Sequence, residues 1–489
     1  MLWIRLDGEG PLHRQLYRAL RGAVLSGRLR AGKRLPSTRA LARELGLSRN
    51  TVLLATEQLL AEGFAVSRSR AGTFVAELAR SSAPPSLRRT DERPLRLSAA
   101  GERMLGVVGA GRASWNPWQR LLPYDFRYGE PSYADLPLET WARLLGRRAR
   151  RLGARRLAYQ APGGADELRN ALAQYLARAR GVVSSPEQIV IVHGSQQAID
   201  LVTRLLVDPG SRVVVEEPHY SGFAFCLRAA GAELVPIPID AQGLVTAELA
   251  PIRDARLACV TPSHQYPTGE VMSLPRRLEL LEWARRCDAY VLEDDYDGEF
   301  RFDGKPIECL QALDRHGRVI YAGTASKLLF PALRIGWIVA PEALAPHLRD
   351  AKALADTGTP SLEQLALADF IAEGHLERHA RRARARTAER RAVLLDALTA
   401  ELGPRARVRG ASAGLHVLLE LPGVRARSTS RLREECKRRG VGVYSAAPFY
   451  LKPPPHAELL LGYAALSEEQ IREGVRRLRR AVDSLASGA

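Results

Sequence analysis

The sequence predicts a protein of two unlike folded parts, a small helical part closed by a β-hairpin and a much larger α/β part. Three observations predict this. The chain has 489 residues, too many for one ordinary core. Short helical patterns bounded by Ser and Gly fill the first 76 residues. From about residue 121 onward, apolar runs of strand length alternate with helical patterns.

Composition excludes several classes of protein. With 46% apolar and 26% charged residues, the chain is typical of a globular protein. No apolar run is long enough to cross a bilayer, so we expect no membrane partner. The five cysteines lie far apart and form no CxxC pair. We therefore expect no disulfide framework, no metal site and a cytoplasmic protein.

The positive charge is informative mainly through its distribution. The chain carries 72 Lys and Arg against 54 Asp and Glu, a net charge of +18, and an arginine-rich composition can follow from nucleotide bias in a genome. Residues 1–80 alone carry 14 basic and 6 acidic residues. A basic N-terminal end is suited to attracting phosphates, although a solvated basic surface has the same composition.

Residues 1–76 show the order of elements of a winged helix-turn-helix. Apolar residues at helical spacing from Leu12 to Ala23 predict the first helix. Ser37 and Ser48 are suited to cap two further helices, and Gly63 ends the last one. Two β-prone runs within 64–75 predict a hairpin. Helix, short helix, turn, helix and hairpin in this order are typical of a winged helix-turn-helix domain.

The rest of the chain is predicted to contain a linker and two domains. Residues 77–120 lack sustained periodicity and are predicted to be a linker. Residues 121–371 are predicted to form a mostly parallel sheet covered by helices on both faces. The predicted strands are Ile189–Val192, Arg212–Val215, Leu257–Val260, Tyr290–Leu292, Arg318–Tyr321 and Ile335–Val339. Residues 372–489 are predicted to form a small C-terminal α+β subdomain.

Lys327 is the strongest candidate for a reactive residue. It follows a predicted strand in the stretch AGTASK (322–327), at the edge where open parallel sheets bind ligands. A lysine beside an apolar sheet is costly unless it is paired or has lost its charge. A neutral lysine is a nucleophile towards aldehydes, as Schiff-base chemistry requires.

Two other strand ends supply groups that a pyridoxal cofactor needs. A carboxylate within Glu293–Asp295 can pair with a pyridine nitrogen. The helix start at Ser195 is suited to a phosphate, to which Thr324, Ser326 and Arg334 can add. Tyr220 offers an aromatic face for stacking. Taken singly, each of these residues more often belongs to an ordinary loop, turn, helix cap or core. The prediction of a pyridoxal site therefore depends on their shared position at strand ends.

The order of these stretches resembles known families. The C-terminal 370 or so residues resemble fold-type I pyridoxal-phosphate aminotransferases. The matching stretches are HGSQQAID (193–200), EEPHYSGF (216–223), TPSHQYPTGEVMS (261–273), EDDYDGEF (293–300) and GTASKLLFPALRIGW (323–337). The first 76 residues resemble GntR-family regulators through GRLRAGKRLPSTRALARELGLSRNTV (27–52) and RAGTFV (70–75). The two modules in this order resemble the MocR-type subgroup of that family.

The resemblance implies a role for each matching residue. Lys327 would hold pyridoxal 5'-phosphate through a Schiff base. Asp294 would pair with the pyridine nitrogen, with Asp295 as the less favoured alternative, Tyr296 would reach the ring hydroxyl and Tyr220 would stack on the ring. The phosphate would be surrounded by Ser195, Gln196, Thr324, Ser326 and Arg334. Tyr159 would reach the phosphate of a partner subunit, which implies a homodimer.

Two departures from the aminotransferase pattern weigh against ordinary turnover. Tyr266 stands where these enzymes usually carry Asn before Pro-Thr-Gly, and Leu460 stands where they carry a carboxylate-binding arginine. A leucine cannot bind a carboxylate bidentately. The departures fit a domain that binds a cofactor and senses an amine better than one that turns it over.

The N-terminal module predicts contacts to an operator in double-stranded DNA. The residues that open the third helix are placed to meet base edges in the major groove, and basic residues of the second helix and the wing are placed for phosphate or minor-groove contact. The candidate DNA-binding residues are Arg39, Ser48, Arg49, Asn50, Thr51, Arg68, Arg70 and Gly72.

The sequence thus predicts a DNA-binding transcriptional regulator that senses pyridoxal phosphate, or a small amine or amino acid, through a Schiff base at Lys327. Two alternatives stay open at this point. The chain could be a working aminotransferase that carries a DNA-binding head, or a regulator whose large domain serves only as a dimerisation scaffold.

Overall fold

The structure is a computed structural model that describes residues 4–69, 71–77, 96–111, 122–153, 157–303 and 307–486. The chain divides into two compact units, an N-terminal unit (Met1–Arg96) and a C-terminal unit (Leu97–Ala489). None of the described helices is both long enough and apolar enough to cross a membrane.

The N-terminal unit is a winged helix-turn-helix domain. Its elements are α1 (Leu12–Leu25), α2 (Thr38–Leu45), α3 (Arg49–Ala61), β1 (Ala65–Arg68) and β2 (Gly72–Val75). The hydroxyl of Ser37 accepts a hydrogen bond from the backbone N–H of Ala40 at 3.2 Å, and that of Ser48 from Thr51 at 3.1 Å, so both predicted caps are present. The two strands pair antiparallel as the predicted hairpin.

The C-terminal unit alternates helices and strands. In its described part the helices are α4 (Ala99–Gly111), α5 (Leu138–Arg150), α6 (Asp166–Arg180), α7 (Ser195–Leu206), α8 (Ser221–Ala230), α9 (Leu274–Arg286), α10 (Leu310–Leu313), α11 (Ala345–Asp356), α12 (Ser361–Ala372), α13 (His375–Leu402), α14 (Thr429–Arg438) and α15 (Glu468–Ala486). The strands are β3 (Tyr124–Asp125), β4 (Ile189–Val192), β5 (Arg212–Glu217), β6 (Glu233–Asp240), β7 (Gly243–Leu244), β8 (Leu257–Val260), β9 (Tyr290–Asp295), β10 (Val319–Thr324), β11 (Gly336–Val339), β12 (Arg407–Arg409), β13 (His416–Arg425), β14 (Val441–Gly442), β15 (Tyr444–Ser445) and β16 (His456–Gly462).

A mostly parallel sheet forms the centre of the C-terminal unit. Its strand order is β4-β11-β10-β9-β8-β5-β6-β7, in which β11 runs antiparallel to both neighbours and β7 antiparallel to β6. Every residue of β4, β8, β10 and β11 is buried, as expected of strands covered on both faces. Two prolines inside β6, Pro236 and Pro238, hide that strand in the sequence.

The predicted strand bounds were too short at the functional edge of the sheet. The carboxylates of Glu293–Asp295, expected just past a strand, belong to the end of β9 itself. Likewise β10 continues to Thr324, three residues beyond its predicted end. The reason is pairing: Gly323 is still in register with Asp295, and Thr324 with Gly336. Pairing with neighbouring strands thus extends β9 and β10 into polar residues that the sequence pattern placed after the strands.

The C-terminal α+β subdomain includes a segment from much earlier in the chain. Its four-stranded sheet has the order β12-β13-β16-β15, with α13, α14 and α15 packed around it. Strand β3 pairs parallel with β14, and the ring of Phe126 is fully buried in the subdomain core. The segment around Phe126 therefore completes the core of the subdomain predicted for 372–489.

Part of the predicted linker, 77–120, is helical. Helix α4 packs on α8, and the guanidinium Nε of Arg103 donates to the backbone carbonyl of Ala229 at 3.2 Å. The glycine-rich composition of this stretch hid its helical pattern. Residues 78–95 and 112–121 of the predicted linker lie outside the described residues.

Candidate functional site

The candidate site lies at one edge of the large sheet, where three strands end together. Register pairs Thr324 at the end of β10 with Gly336 at the start of β11, and Gly336 with Val192 at the end of β4. Strand β9 ends beside β10, with Asp294 opposite Ala322. The chain segments that follow β4, β9 and β10 therefore converge at this edge, which is where open α/β sheets bind ligands.

Lys327 lies just beyond the end of β10. Its Nζ donates a hydrogen bond to the carbonyl of Gly129 at 2.7 Å. Burial lowers the pKa of Lys327, while the carboxylates of Asp297 and Asp294 oppose that shift. The lysine is thus held in a site that favours the neutral, nucleophilic amine more than water does.

The two neighbouring aspartates at the end of β9 have different surroundings. Asp295 forms an ion pair with Arg180, whose Nε lies 2.6 Å from its Oδ2, and accepts a hydrogen bond from the Tyr321 hydroxyl at 2.8 Å. Asp294 is 3% exposed, and its Oδ1 has no hydrogen-bond partner among the described residues. Burial raises the pKa of Asp294 to about 7, although a hydrogen bond with Ser195 opposes the shift.

The segments after β4 and β10 form a cradle of polar groups. Helix α7 begins at Ser195 after Gly194, and Arg334 donates to the carbonyl of His193 just before this helix start. A Cβ on Gly336 would lie 2.8 Å from the Gly194 backbone, so only glycine permits this approach of the two segments. A helix N-terminus beside a guanidinium is suited to an anion.

Three further predicted residues lie around this cradle. Thr324 and Ser326 are both 7% exposed, and the Thr324 hydroxyl donates to that of Ser326 at 3.0 Å. Gln196 points towards α8, with its amide nitrogen 3.0 Å from the sulfur of Cys226 and 3.5 Å from the carbonyl of Gly222. The predicted phosphate-binding residues are thereby brought to one place.

An aromatic wall lies near Asp294. The ring of Tyr220 packs edge-on against Tyr266, with the ring centroids 5.3 Å apart, and Tyr266 packs in the same way against Tyr296 at 6.0 Å. Burial raises the pKa of all three phenols, so their hydroxyls stay neutral hydrogen-bond donors. Tyr266 therefore fills, with an apolar ring, the position at which the resemblance expects Asn.

Two polar residues of the site were missed as candidates. The Nδ1 of His264 lies 2.8 Å from the hydroxyl of Tyr296 and 2.9 Å from Oδ2 of Asp297. The side chains of His264 and Asp297 are each 1% exposed. Both residues lie inside the matching stretches 261–273 and 293–300, so their presence there was the available signal.

Leu460 is fully buried in an apolar cluster, which comprises Tyr266, Leu418, Ala446, Phe449 and Leu460. Nearby, the guanidinium of Arg127 lies 3.7 Å from the carboxylates of both Asp125 and Glu130. Its positive charge is already paired with two carboxylates of its own chain. The position at which the resemblance expects a carboxylate-binding arginine is thus part of an apolar cluster.

Tyr159 does not join the site within one chain. Its side chain is 92% exposed, and the neighbouring Leu157 is 74% exposed. Two large side chains exposed together are typical of a surface that another protein covers.

The candidate DNA-binding residues lie on one small unit. Ser48, Arg49 and Asn50 are exposed at the start of α3, and Thr51 is half-buried beside the cap. Arg39 on α2 is exposed as well. The start of α3 is therefore open to a nucleic acid.

The wing differs in detail from the prediction. Arg68 is exposed, and its guanidinium lies 4.9 Å from the centre of the Phe74 ring. Gly72 lies against the guanidinium of Arg34, a residue that sequence reasoning missed. Arg70 lies outside the described residues.

Comparison with known proteins identifies both units. Residues 12–75 match the bacterial regulatory proteins of the gntR family, and residues 125–478 match aminotransferase class I and II. The probable rhizopine catabolism regulatory protein MocR of Rhizobium meliloti is 40% identical over 100% of this chain and 97% of its own length. The chain belongs to the MocR-type subgroup of the GntR family. This MocR-type protein is therefore a helix-turn-helix transcriptional regulator whose larger unit has an aminotransferase fold.

Two further similar proteins support that statement, one for the regulator and one for the aminotransferase fold. The HTH-type transcriptional regulator TauR of Rhodobacter capsulatus is 33% identical to the MocR-type chain over 97% of both lengths. LysN, an α-aminoadipate aminotransferase of Thermus thermophilus, is 30% identical, with a TM-score of 0.70 over 80% of this chain and 98% of its own. A gntR-type helix-turn-helix domain implies DNA binding, and pyridoxal phosphate is the cofactor of this aminotransferase fold family.

Proposed function

We propose that this regulator binds pyridoxal 5'-phosphate at Lys327 and uses the site to sense a small primary amine or the cofactor itself. The observation that carries the proposal is a half-buried lysine in the electrostatic field of Asp294, whose buried Oδ1 lacks a partner among the described residues. A buried carboxylate oxygen without a hydrogen bond is costly, and a protonated pyridine nitrogen would satisfy it.

Asp294 rather than Asp295 is the proposed partner of the pyridine nitrogen. Asp295 is already occupied by Arg180 and Tyr321. The carboxylate of Asp294 would regain its charge beside a pyridinium, which would offset the burial that now raises its pKa. When bound, the cofactor supplies an aldehyde that joins reversibly to a primary amine.

The remaining predicted residues fit the other parts of the cofactor. Ser195 at the helix start, with Thr324, Ser326 and Arg334, would surround the phosphate, and Gln196 would close that side. Tyr220 would stack on the ring and Tyr296 would donate to the ring hydroxyl. LysN was solved with N-(5'-phosphopyridoxyl)-L-leucine, which supports a pyridoxyl group in a fold of this type.

The sensing role is favoured over turnover by Leu460. Leu460 is fully buried and stands where the resemblance expects a carboxylate-binding arginine. The site would therefore hold the cofactor but would offer no guanidinium at this position to an amino-acid substrate. An effector amine that reacts at Lys327 would change the packing of the α+β subdomain against the large sheet and so bias the DNA-binding units.

We further propose that the protein is a homodimer in which Tyr159 reaches the cofactor phosphate of the partner subunit. The exposure of Tyr159 and Leu157 supports this. A dimer would also present two copies of α3 to an operator with two half-sites. In each copy, Ser48, Arg49, Asn50 and Thr51 would meet base edges, and Arg39 with the wing at Arg68, Arg70 and Gly72 would meet the DNA backbone.

The first experiment is the visible absorbance of the purified, dialysed protein before and after borohydride reduction. We expect a cofactor band that reduction fixes covalently to Lys327, as located by peptide mass. Lys327→Ala should remove both the band and the adduct. The matched control is Lys452→Ala, which removes an exposed lysine of the same chain and should change neither.

Three outcomes would overturn the proposal. A protein that stays free of cofactor when pyridoxal phosphate is supplied would leave only a dimerising scaffold. Multiple turnovers in an amino-acid and keto-acid exchange assay would instead establish a working aminotransferase. Operator binding by Lys327→Ala that responds to amines as the natural protein does would also exclude the proposed switch.

A further inference from the structure

His264 and Asp297 form a buried pair beside the reactive lysine that the sequence predictions left without a role. The Nδ1 atom of His264 is 2.9 Å from Oδ2 of Asp297 and 2.8 Å from the hydroxyl of Tyr296. Because a single nitrogen carries one proton, it can donate to the carboxylate or accept from the phenol, but not both. The three groups therefore share their protons.

The packing around His264 fixes its ring in place. A Cβ on Gly414 would lie 2.0 Å from Cε1 of the ring, so the loop before β13 can pass only because residue 414 is glycine. The ring of His416 lies 5.1 Å from that of His264, between centroids. The Nε2 of His264 is buried and has no partner among the described residues. All of its polar contact is thus made through Nδ1, towards Tyr296 and Asp297.

We propose that His264 and Asp297 are positioning residues that together set the protonation of Tyr296 and Lys327. His264 donates Nδ1–H to Asp297 and so keeps that carboxylate charged in a buried place. The charged carboxylate accepts a hydrogen bond from the neutral Tyr296 hydroxyl and favours the ammonium form of Lys327. The functional meaning of this inference rests on the proposed cofactor binding, but its first test does not.

Other charged groups also face this pair and enter the same balance. Among the opposite charges that act on Lys327, Asp297 acts more strongly than Asp294. The titratable and charged groups around the pair are Asp294, Tyr296, Lys327, His416 and Tyr463, with Arg180 and Arg301 lining a small cavity that the pair also borders. Burial keeps the pKa of His416 well below its usual value, so this ring adds no charge.

The test is trace labelling of lysines with acetic anhydride over a pH series, on the full-length cofactor-free protein. Peptide masses then give the apparent pKa of Lys327, with Lys452 as an internal standard. Asp297→Asn should lower the pKa of Lys327 by about 1–2 units, because an opposite charge is lost. The matched control, Asp303→Asn, removes a carboxylate that is 57% exposed and should leave this pKa unchanged.

His264 is tested by two substitutions with different hydrogen bonding. His264→Asn keeps an N–H near the Nδ1 position and should retain the natural pKa of Lys327. His264→Leu removes the Nδ1–H donor from a buried carboxylate and should therefore lower the pKa of Lys327 in the same direction as Asp297→Asn. Circular dichroism checks that each variant folds. If His264→Leu does not fold, the comparison of Asp297→Asn with Asp303→Asn still tests the inference.

Two results would overturn the inference. One is an equal Lys327 pKa in Asp297→Asn and Asp303→Asn, and the other is an equal pKa in His264→Asn and His264→Leu. A pH titration of the visible band in the loaded protein is the second readout, and its midpoint should shift in Asp297→Asn but not in Asp303→Asn. A failure to bind cofactor removes only this second readout, so it is distinguishable from failure of the inference.

Discussion

The two units place their functional side chains in opposite surroundings. Arg39, Arg49 and Arg68 in the N-terminal unit are exposed, and each stands on a separate element. Asp294 and Asp295 in the C-terminal unit are buried, and Asp295 binds Arg180 from a distant part of the chain. Exposed groups contribute separately, whereas buried charged groups depend on one another. Substitutions should therefore act independently in the first unit and together in the second.

The largest expected effect comes from breaking a buried ion pair. Asp295→Asn leaves the guanidinium of Arg180 buried and without its counter-charge, which we expect to destabilise the C-terminal unit by about 3–5 kcal/mol. Denaturant unfolding followed by tryptophan fluorescence measures this. The control is Asp7→Asn, which breaks the exposed Arg18–Asp7 pair of the N-terminal unit and should leave the unfolding midpoint in place. Equal midpoints for the two variants would contradict the comparison.

The next effect depends on pH and has the opposite sign. Burial raises the pKa of Asp294 to about 7 from 3.8, so the folded cofactor-free protein binds a proton that the unfolded chain has released between these values. Stability due to this group therefore falls as pH rises from about 4 to above 7. Asp294→Asn should be more stable than the natural protein at pH 8, by on the order of 4 kcal/mol at most, and the difference should disappear near pH 4.

The same experiment needs a control because Glu293 is also buried with its pKa raised to about 7. Glu293→Gln should show a smaller gain at pH 8, because its carboxylate accepts from the backbone N–H groups of Leu310 and Gln311 and an amide NH2 cannot accept from one of them. It should retain cofactor binding, since both oxygens of this carboxylate are already bonded to the backbone. Loss of stability at pH 8 in Asp294→Asn would show that its carboxylate has a partner of opposite charge even without cofactor.

In the N-terminal unit the expected effects are on DNA and are additive. Arg49→Ala should weaken operator binding by about 1–3 kcal/mol and reduce sequence discrimination, because a base contact is lost. Arg39→Ala should weaken binding to all sequences alike and reduce the salt slope by about one. Fluorescence anisotropy over a salt series measures both. A double variant whose loss departs from the sum of the single losses would show coupling between the two sites.

The smallest expected effect is the loss of a helix cap. Ser48→Ala removes the acceptor for the backbone N–H of Thr51 and should destabilise the N-terminal unit by about 1 kcal/mol. Hydrogen exchange of α3 amides resolves a change of that size without involving the C-terminal unit. Ser67→Ala, an exposed serine on β1, is the control, and faster exchange in that variant would show that the effect is not due to capping.

The difference between the units also explains what sequence could predict. The caps at Ser37 and Ser48 act within three residues, so the local pattern was sufficient to predict α2 and α3. The position of Lys327 at the edge of the sheet was predictable because it follows a buried strand. By contrast, the bond between Arg180 and Asp295 joins residues 115 positions apart, and no local pattern indicates it. Nor does a local pattern indicate that Oδ1 of Asp294 has no hydrogen-bond partner among the described residues, since Arg180 binds the neighbouring Asp295.

The helix and the strand that the sequence analysis missed contain residues with a low propensity for the structure that they adopt. Helix α4 contains several glycines, and β6 contains two prolines, yet tertiary packing and sheet pairing hold both. The segment around Phe126 was predicted to belong to the large domain, but it packs in the core of the C-terminal subdomain. Its partner strand, β14, begins at Val441, more than three hundred residues later, so the local sequence gives no sign of the pairing. Such contacts are decided by the assembled core rather than by the segment itself.

Leu460 has a consequence for selectivity among the amines of a cell. A regulator that answered to every amino acid would be saturated by the metabolic background and could not signal. Burying a carboxylate against leucine leaves it without a hydrogen bond, which costs about 1–3 kcal/mol or more. If the proposed site takes amines, that cost would lower its affinity for common amino acids roughly tenfold to a hundredfold. Leu460 would then act by excluding amines that carry a carboxylate, which would leave the site to amines without one.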